Sequence, residues 1–299
     1  LKDIKSAKVT VCVVSYNQQD YIAECLQSIV DQQTNFPFVV LVSDDCSTDN
    51  TGAIIQQFAT NYPDIIVPVF RQKNLGAYQN FLQTHQMAAG PYICHCDGDD
   101  YWLPGKLQAQ ADYLDQHPTC NVVFTRTFVA YPDGRLLEDN IRPSFIPKAG
   151  FSQGDVLRLI SIGTNSSKMY RKPAQPYPYP ALPILDYFET VEQVGAGYAT
   201  YVSDKIFSVY RANIGIATQG LSTRKALHQT FVYFAGRYPA HRLNINIAAL
   251  FLFLADFKHR RPTWRAGFVV FCKTFHPMVF FKAGKTWKDL QVLRNPVGE

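Results

Sequence analysis

Four times in the first hundred residues a short apolar or β-branched run precedes or follows a stretch with helical periodicity, and this alternation constrains the fold most. "KVTVCVVS" (Lys8 to Ser15) reads as a buried strand. In the "DYIAECLQSIVDQ" that follows, Ile22, Leu26, Ile29 and Val30 recur at helical spacing, and Asp20 stands where a cap belongs. "FVVLVS" (Phe38 to Ser43) precedes a helix expected from about residue 51 to 61, with Ile54, Phe58 and Tyr62 on one side. "IIVPVF" (Ile65 to Phe70) precedes one from about 77 to 87, and "YICHCD" is the fourth strand. Runs of this length joined through helices call for right-handed β-α-β crossovers. The expected fold is therefore α/β, a Rossmann-like, mostly parallel sheet with helices on both faces.

In such a sheet, ligands bind at the carboxyl ends of the strands. The segments that follow the strands are "SYNQQD", "DDCSTDN", "RQKNLG" and "DGDDYW", so most polar chemistry converges on one edge. Asp97 and Asp99 flank Gly98, whose lack of a side chain lets the backbone turn closely, and Asp100 adds a third carboxylate. Hard oxygen ligands of this kind suit Mg²⁺ or Mn²⁺, which keeps positions open for substrate phosphates. The plainer alternative is an acidic turn that caps the next helix. Cys94 and Cys96 around His95 allow a metal site on paper, but alternating residues of one strand explain them more simply.

Four ordered blocks carry a family resemblance: "VTVCVVSYNQQDYIAECLQSIVDQ", "VSDDCSTDNT", "QKNLGAYQNF" and "DGDDYWLPGKLQAQADYL". They resemble the inverting glycosyltransferases of family 2, whose fold is the type A glycosyltransferase (GT-A) fold. The likeness runs over roughly residues 8 to 115 and, more weakly, to about residue 215. It implies a nucleotide-binding set of Val14, Tyr16, Asn17, Asp44, Asp45, Lys73, Asn74, Asn80, Asp97 and Asp99. Within it, Tyr16 lies against the base, Asp45 accepts from the base imide, and Asp44 supports that loop. It also implies Mn²⁺ or Mg²⁺ held by Asp97, Asp99 and Asp100. Asp186 is the implied catalytic base, with Glu189 in reserve one turn on. Trp102, Asn165, Ser166 and Ser167 are the implied acceptor side. Three departures stand out: Cys46 where glycine is usual, Leu185 where Gly or Glu is usual, and Asn213 where histidine is usual.

The expected activity is a metal-dependent, inverting transfer of a sugar from a nucleotide-diphosphate donor, of UDP or TDP type, to a glycan hydroxyl. The resemblance further implies a lipid-linked acceptor in surface polysaccharide synthesis. A nucleotidyltransferase is an alternative, although "SYNQQDY" lacks the Gly-rich basic loop such an enzyme needs. A non-catalytic sugar-nucleotide binding or scaffold protein is another, opposed by the intact Asp97, Asp99, Asp100 and Asp186.

The chain has 299 residues, 47% of them hydrophobic and 14% aromatic, which suffices for a packed core. The expected divisions are a nucleotide-sugar half (1–103), an acceptor half (104–220) and a basic helical segment (221–299). From residue 221 on there are 13 Lys/Arg against 3 Asp/Glu, a net of +10 within a total of +5, which leaves −5 for the rest. Trp264, Phe268, Phe271 and Phe275 fall on one helical face, with Arg265, Lys273 and His276 on another. That pattern suits a helix lying on an anionic membrane surface, and the expected location is peripheral, on the cytoplasmic face of the cell membrane. No uninterrupted apolar run reaches the roughly 18–20 residues that a spanning helix needs. No recognition module accompanies the basic tail, so nucleic acid is not an expected partner. "LKDIKSAKVTVCVVSYN" lacks the pattern of a secretory signal, and seven cysteines without a C-x-x-C pair read as reduced thiols. "FVAYPDGRLL" reads as a hairpin, and "KPAQPYPYPALP", with five prolines, as irregular.

Overall fold

The computed structural model describes residues 6–214 and 221–294. Strand β1 (Val9–Ser15) pairs in parallel with β2 (Phe38–Asp44) on one side and β4 (Tyr92–Asp97) on the other, and β3 (Ile66–Phe70) pairs with β2. Helices α1 (Ile22–Val30), α2 (Thr51–Asn61) and α3 (Ala77–Met87) make the crossovers. Beyond β4 come β8 (Met169–Arg171), β6 (Cys120–Ala130), β9 (Tyr198–Arg211) and β5 (Tyr101–Trp102), with β8 antiparallel to both β4 and β6 and β5 antiparallel to β9. The strand order is β3-β2-β1-β4-β8-β6-β9-β5, with β7 (Leu136–Glu138) paired to β6 in the expected hairpin. The fold is thus the α/β, GT-A-like arrangement expected, with a mixed far half.

Local chemistry explains where the elements depart from expectation. Asp20 does not cap α1: Tyr21 and Ile22 donate their amides to the Gln18 carbonyl, so the turn itself satisfies them. The fully buried apolar residue of α2 is Ile55, whereas Ile54, Phe58 and Tyr62 are half-buried, with the two rings stacked. Helix α3 buries Asn80, Thr84 and His85 around Phe81, and α4 (Lys106–Gln116) buries Lys106 and Gln110 beside Leu107 and Leu114. All seven cysteines are free thiols. Cys94 and Cys96 share one face of β4 while His95 takes the other, as a strand requires.

Two compact units divide the chain differently from the three consecutive segments expected. The first comprises 1–139, 163–176 and 199–215 and holds the sheet; the second comprises 140–162, 177–198 and 216–299. The second unit is helical, built from α5 (Gln153–Leu159), α6 (Asp186–Val194), α7 (Leu221–Arg237), α8 (Arg242–Lys258), α9 (Trp264–Lys273) and α10 (Val279–Arg294). Its members are cross-tied: Asn244 donates to the Gly154 carbonyl (2.6 Å), Arg158 pairs with Asp289 (2.8 Å), and Phe188 stacks on Phe234. The C-terminal helices therefore share a core with α5 and α6 instead of forming a segment of their own.

Residues 239–258 are long and apolar enough, by length and composition, to cross a membrane, yet half of that window is buried inside the unit. Asn246 and Asp256 lie on the buried face of α8. Asn246 donates to the Phe271 carbonyl, and Asp256 accepts from Thr263 and Arg224, the pattern of a core helix with satisfied polar groups. The aromatic face expected around α9 is split. Phe271 is buried, Phe268 and Phe275 are exposed, and the helix ends at Lys273 before Phe275 is reached. The proline-rich stretch after Arg171 is irregular, as expected.

Candidate active site

Strand order reverses at β1, whose neighbours are β2 and β4, and the crevice past the carboxyl ends of β1 and β4 is the natural ligand position. There Val14 is in register with Asp97, and the Gly98 amide donates to the Val14 carbonyl (3.0 Å). A Cβ on Gly98 would lie 2.4 Å from Gln18 Oε1 and 3.1 Å from the Val14 carbonyl oxygen, so this approach needs glycine.

The turn after β1 and the loop after β2 are sewn together. The Asn17 amide donates to Ser47 Oγ (2.9 Å), its Oδ1 accepts from the Thr48 amide (2.9 Å), and the Gln18 amide donates to Thr51 Oγ1 (2.8 Å). Asn17 and Cys46 both adopt the left-handed conformation, at φ +51 and +63. At Cys46 that conformation explains why glycine would be at home there. Asp44 holds Ser47 through its amide and hydroxyl, supporting the loop as expected. Asp45 is buried, and its carboxylate accepts from the Leu75 and Gly76 amides (2.8 and 2.9 Å), which fixes the next loop beside it. Tyr16 is 37% exposed on this edge.

Lys73 and Asn74 are exposed, and Asn74 caps the Gly76 amide. Asn80 departs from the expected nucleotide role. It is buried, accepts from Ser43 Oγ (2.6 Å) and Arg71 Nε (3.1 Å), and donates to the Ser43 carbonyl, so it locks the end of β2.

The three aspartates after β4 separate into different environments. Asp97 stays partly open, with its side chain 41% exposed. Burial raises its pKa, but His95, Lys168 and the Ser166 hydroxyl outweigh this and hold the carboxyl below the usual range. Asp99 is 8% exposed, and among the described residues no other residue donates to its carboxylate; burial, then the charge of Asp97, pushes its pKa up to about 6. Asp100 is buried and accepts from Ser166 Oγ (2.5 Å) and the Arg211 amide (2.9 Å), with burial and its two neighbours raising its pKa well above normal. Both its oxygens already accept from the loop, and at 1% exposure it is the most enclosed of the three.

Arg211 closes the loop from below, its guanidinium meeting the Asp99 carbonyl and Glu24 and lying over the Tyr21 and Tyr101 rings. Asn213, where histidine is usual, is exposed in a left-handed turn at φ +64.

Three expected acceptor-side residues are structural. Trp102 is buried, donates from Nε1 to the Ser166 carbonyl (2.8 Å) and lies under Lys106 Nζ, 4.0 Å from its ring centre. Ser166 and Ser167 are buried too, Ser166 on the Asp97 amide and Asp100, Ser167 on the Thr164 carbonyl. Asn165 is half-buried, and its Oδ1 is buried with no hydrogen-bond partner among the described residues.

Sequence reasoning missed a buried chain behind Asp97. Tyr170 Oη is 2.7 Å from His85 Nδ1, His85 Nε2 is 3.0 Å from His95 Nδ1, and His95 Nε2 is 3.0 Å from Asp97 Oδ1. Only "HCD" hinted at it; His85 and Tyr170 lie far off in sequence.

Asp186 and Glu189 belong to the second unit. Asp186 is exposed at the first position of α6, after Leu185 as N-cap. Glu189, the reserve base, is buried, and its carboxylate accepts from Tyr179 Oη (3.3 Å).

A divalent cation fits the donor set of Asp97 and Asp99: hard oxygens, one partly exposed, the other buried beside a like charge with no donor from another residue. Among the described residues no cluster of three or more His, Cys, Asp or Glu is arranged to hold a metal.

Comparison with known proteins accords with this geometry. The sequence profile described as glycosyl transferase family 2 matches residues 10–174. An uncharacterised protein of Mycobacterium tuberculosis is 35% identical over 225 residues, covering 74% of this chain and 64% of that one. A Bacillus subtilis protein provisionally named teichuronic acid biosynthesis glycosyltransferase TuaG is 32% identical over 130 residues, 44% of this chain and 50% of that one. The chain thus spans less than two thirds of the length of these relatives. Among solved structures, Staphylococcus aureus TarS 1–349 in complex with UDP-GlcNAc superposes with a TM-score of 0.67 at 18% identity, covering 95% of this chain and 89% of that one. A Pyrobaculum calidifontis mannosyltransferase in complex with GDP-Man and Mn²⁺ gives 0.50 at 18% identity, covering 96% and 84%. With a profile match over more than half its length and a GT-A-like sheet, this chain belongs to glycosyltransferase family 2.

Proposed function

We propose that this protein transfers a sugar, with inversion, from a nucleoside-diphosphate donor of UDP or TDP type to a hydroxyl of a glycan acceptor. The observation that carries this reading is the convergence of Tyr16, the Asp45-anchored loop and the Asp97–Asp99 pair on the β1/β4 crevice. Tyr16 offers an exposed aromatic face for a pyrimidine base. Asp45, held by two backbone amides, keeps lone pairs for the base imide. Asp97 and Asp99 would hold Mn²⁺ or Mg²⁺, which when bound neutralises charge building on the departing diphosphate.

Inverting transfer needs a base that takes the acceptor hydroxyl's proton as the anomeric carbon is attacked from the opposite side. Asp186 is the proposed base: exposed, and at the first position of α6. Purified protein incubated with UDP-, TDP- and GDP-sugars, Mn²⁺ and candidate acceptors should release nucleoside diphosphate for one donor. Asp186→Asn should abolish release while leaving nucleotide binding intact. Release that is unchanged in Asp186→Asn would remove Asp186 as base.

The proposed acceptor is a lipid-linked glycan of surface polysaccharide synthesis, which the name of the Bacillus relative supports. The proposed location is the cytoplasmic membrane face. Phe280 and Phe281, 66% and 80% exposed, precede Lys282, and Trp287 at 54% precedes Lys288, an apolar and cationic surface suited to anionic lipid.

A further inference from the structure

We infer that His95, backed by His85 and Tyr170, is a positioning residue for the donor site, holding the Asp97 carboxylate so that its second oxygen faces the crevice. This rests on the reading of Asp97 as a cation and nucleotide contact. The ends of the chain set its direction. An ionised carboxylate only accepts, so His95 Nε2 carries the hydrogen and donates to Asp97 Oδ1. With that hydrogen placed, His95 Nδ1 accepts from His85 Nε2–H, and His85 Nδ1 in turn accepts from Tyr170 Oη–H. Every donor points toward Asp97.

The surroundings are dry and closely packed. His95 is fully buried, His85 and Tyr170 nearly so, and Phe81 stacks on the His85 ring at 3.9 Å. Burial, His95 and the buried Lys168 keep the His85 pKa well below normal, so His85 stays uncharged. The backbone builds the chain without strain: Ile93, His95 and Asp97 share one face of β4, and Tyr170 is in register with Ile93, so its ring rises on that same face toward α3. Asp97 Oδ1 is thus committed to His95, and Ser166 Oγ sits 3.5 Å from Oδ2. Second-layer partners of this type orient carboxylate and imidazole ligands, and their loss typically weakens metal affinity about 10–100-fold.

The test titrates Mn²⁺ into the full chain with saturating UDP, following free Mn²⁺ by electron paramagnetic resonance. His95→Phe, which fills the volume without a donor, is expected to weaken Mn²⁺ about 10-fold or more. Tyr170→Phe, which deletes one hydroxyl two rings away, is expected to weaken it by about threefold, a smaller share of the same second-layer effect. Nitrogen NMR of labelled histidines should show the hydrogen of each hydrogen bond on Nε2 of His85 and of His95, and His85 alone changing its tautomer balance in Tyr170→Phe. Asp97→Asn separates the two ideas. If it weakens Mn²⁺ but His95→Phe and Tyr170→Phe, both folded by NMR, do not, the positioning role is overturned and the site reading survives. If Asp97→Asn itself has no effect, both are overturned. A wild-type His95 with hydrogen on Nδ1 alone also overturns the chain as drawn.

Discussion

Ser166 Oγ donates to Asp100 Oδ2 at 2.5 Å while the Ser166 carbonyl accepts the Trp102 indole, so one serine ties both ends of the aspartate loop to the segment before β8. Removing that hydroxyl leaves a buried carboxylate short of a donor. Ser166→Ala is expected to cost about 1–3 kcal/mol, the range for a buried polar group left without its partner, read as a lower urea midpoint at unchanged slope.

Asp99 predicts a pH dependence. Its folded pKa, about 6, lies above the ordinary 3.8, so the native state binds the proton more tightly than the unfolded chain. Its contribution is fully present below pH 3.8 and is lost as pH rises through about 6, with a magnitude of about 3 kcal/mol. Urea unfolding of wild type and Asp99→Asn from pH 4 to 7.5 should show the wild type losing ground to the variant over that window. Mn²⁺ should stabilise the wild type more at pH 7.5 than at pH 5, because the proton and the cation compete for one carboxylate.

Asp45→Asn removes one of the two acceptors that hold the Leu75 and Gly76 amides. The 75–76 loop should loosen, seen as faster hydrogen exchange at those two amides. Affinity for UDP should fall roughly 10-fold, in line with loss of a charge-assisted hydrogen bond.

Phe280→Ser combined with Phe281→Ser should lower the melting temperature only slightly, since Phe281 is exposed and Phe280 keeps one edge contact, with Phe271. Co-sedimentation with vesicles containing phosphatidylglycerol should drop at least several-fold, whereas neutral phosphatidylcholine vesicles should bind neither form strongly. Equal sedimentation of variant and wild type would remove this surface as a lipid contact.

The parallel half of the sheet was legible because β1, β2 and β4 are near-continuous apolar runs buried on both faces. Asp45 and Asp97 were legible because turns after such strands have one place to go. The His85–His95 chain was not, since α3 packs Asn80, Thr84 and His85 inward, and apolar periodicity is blind to a buried polar face. Trp102, Ser166 and Ser167 looked like acceptor residues for a related reason: nothing in sequence tells a polar group that faces substrate from one that binds the chain to itself. The helical unit was misdivided because its core draws α5 and α6 from one stretch and α7 to α10 from another.

The most direct test of the central claim is calorimetric titration of UDP, TDP, GDP and CMP, each with and without Mn²⁺, into wild type and Asp99→Ala. The account predicts that one pyrimidine nucleoside diphosphate binds in a Mn²⁺-dependent manner and that Asp99→Ala loses this binding. Binding that ignored both Mn²⁺ and Asp99, or the absence of binding by any of the four nucleotides, would contradict it.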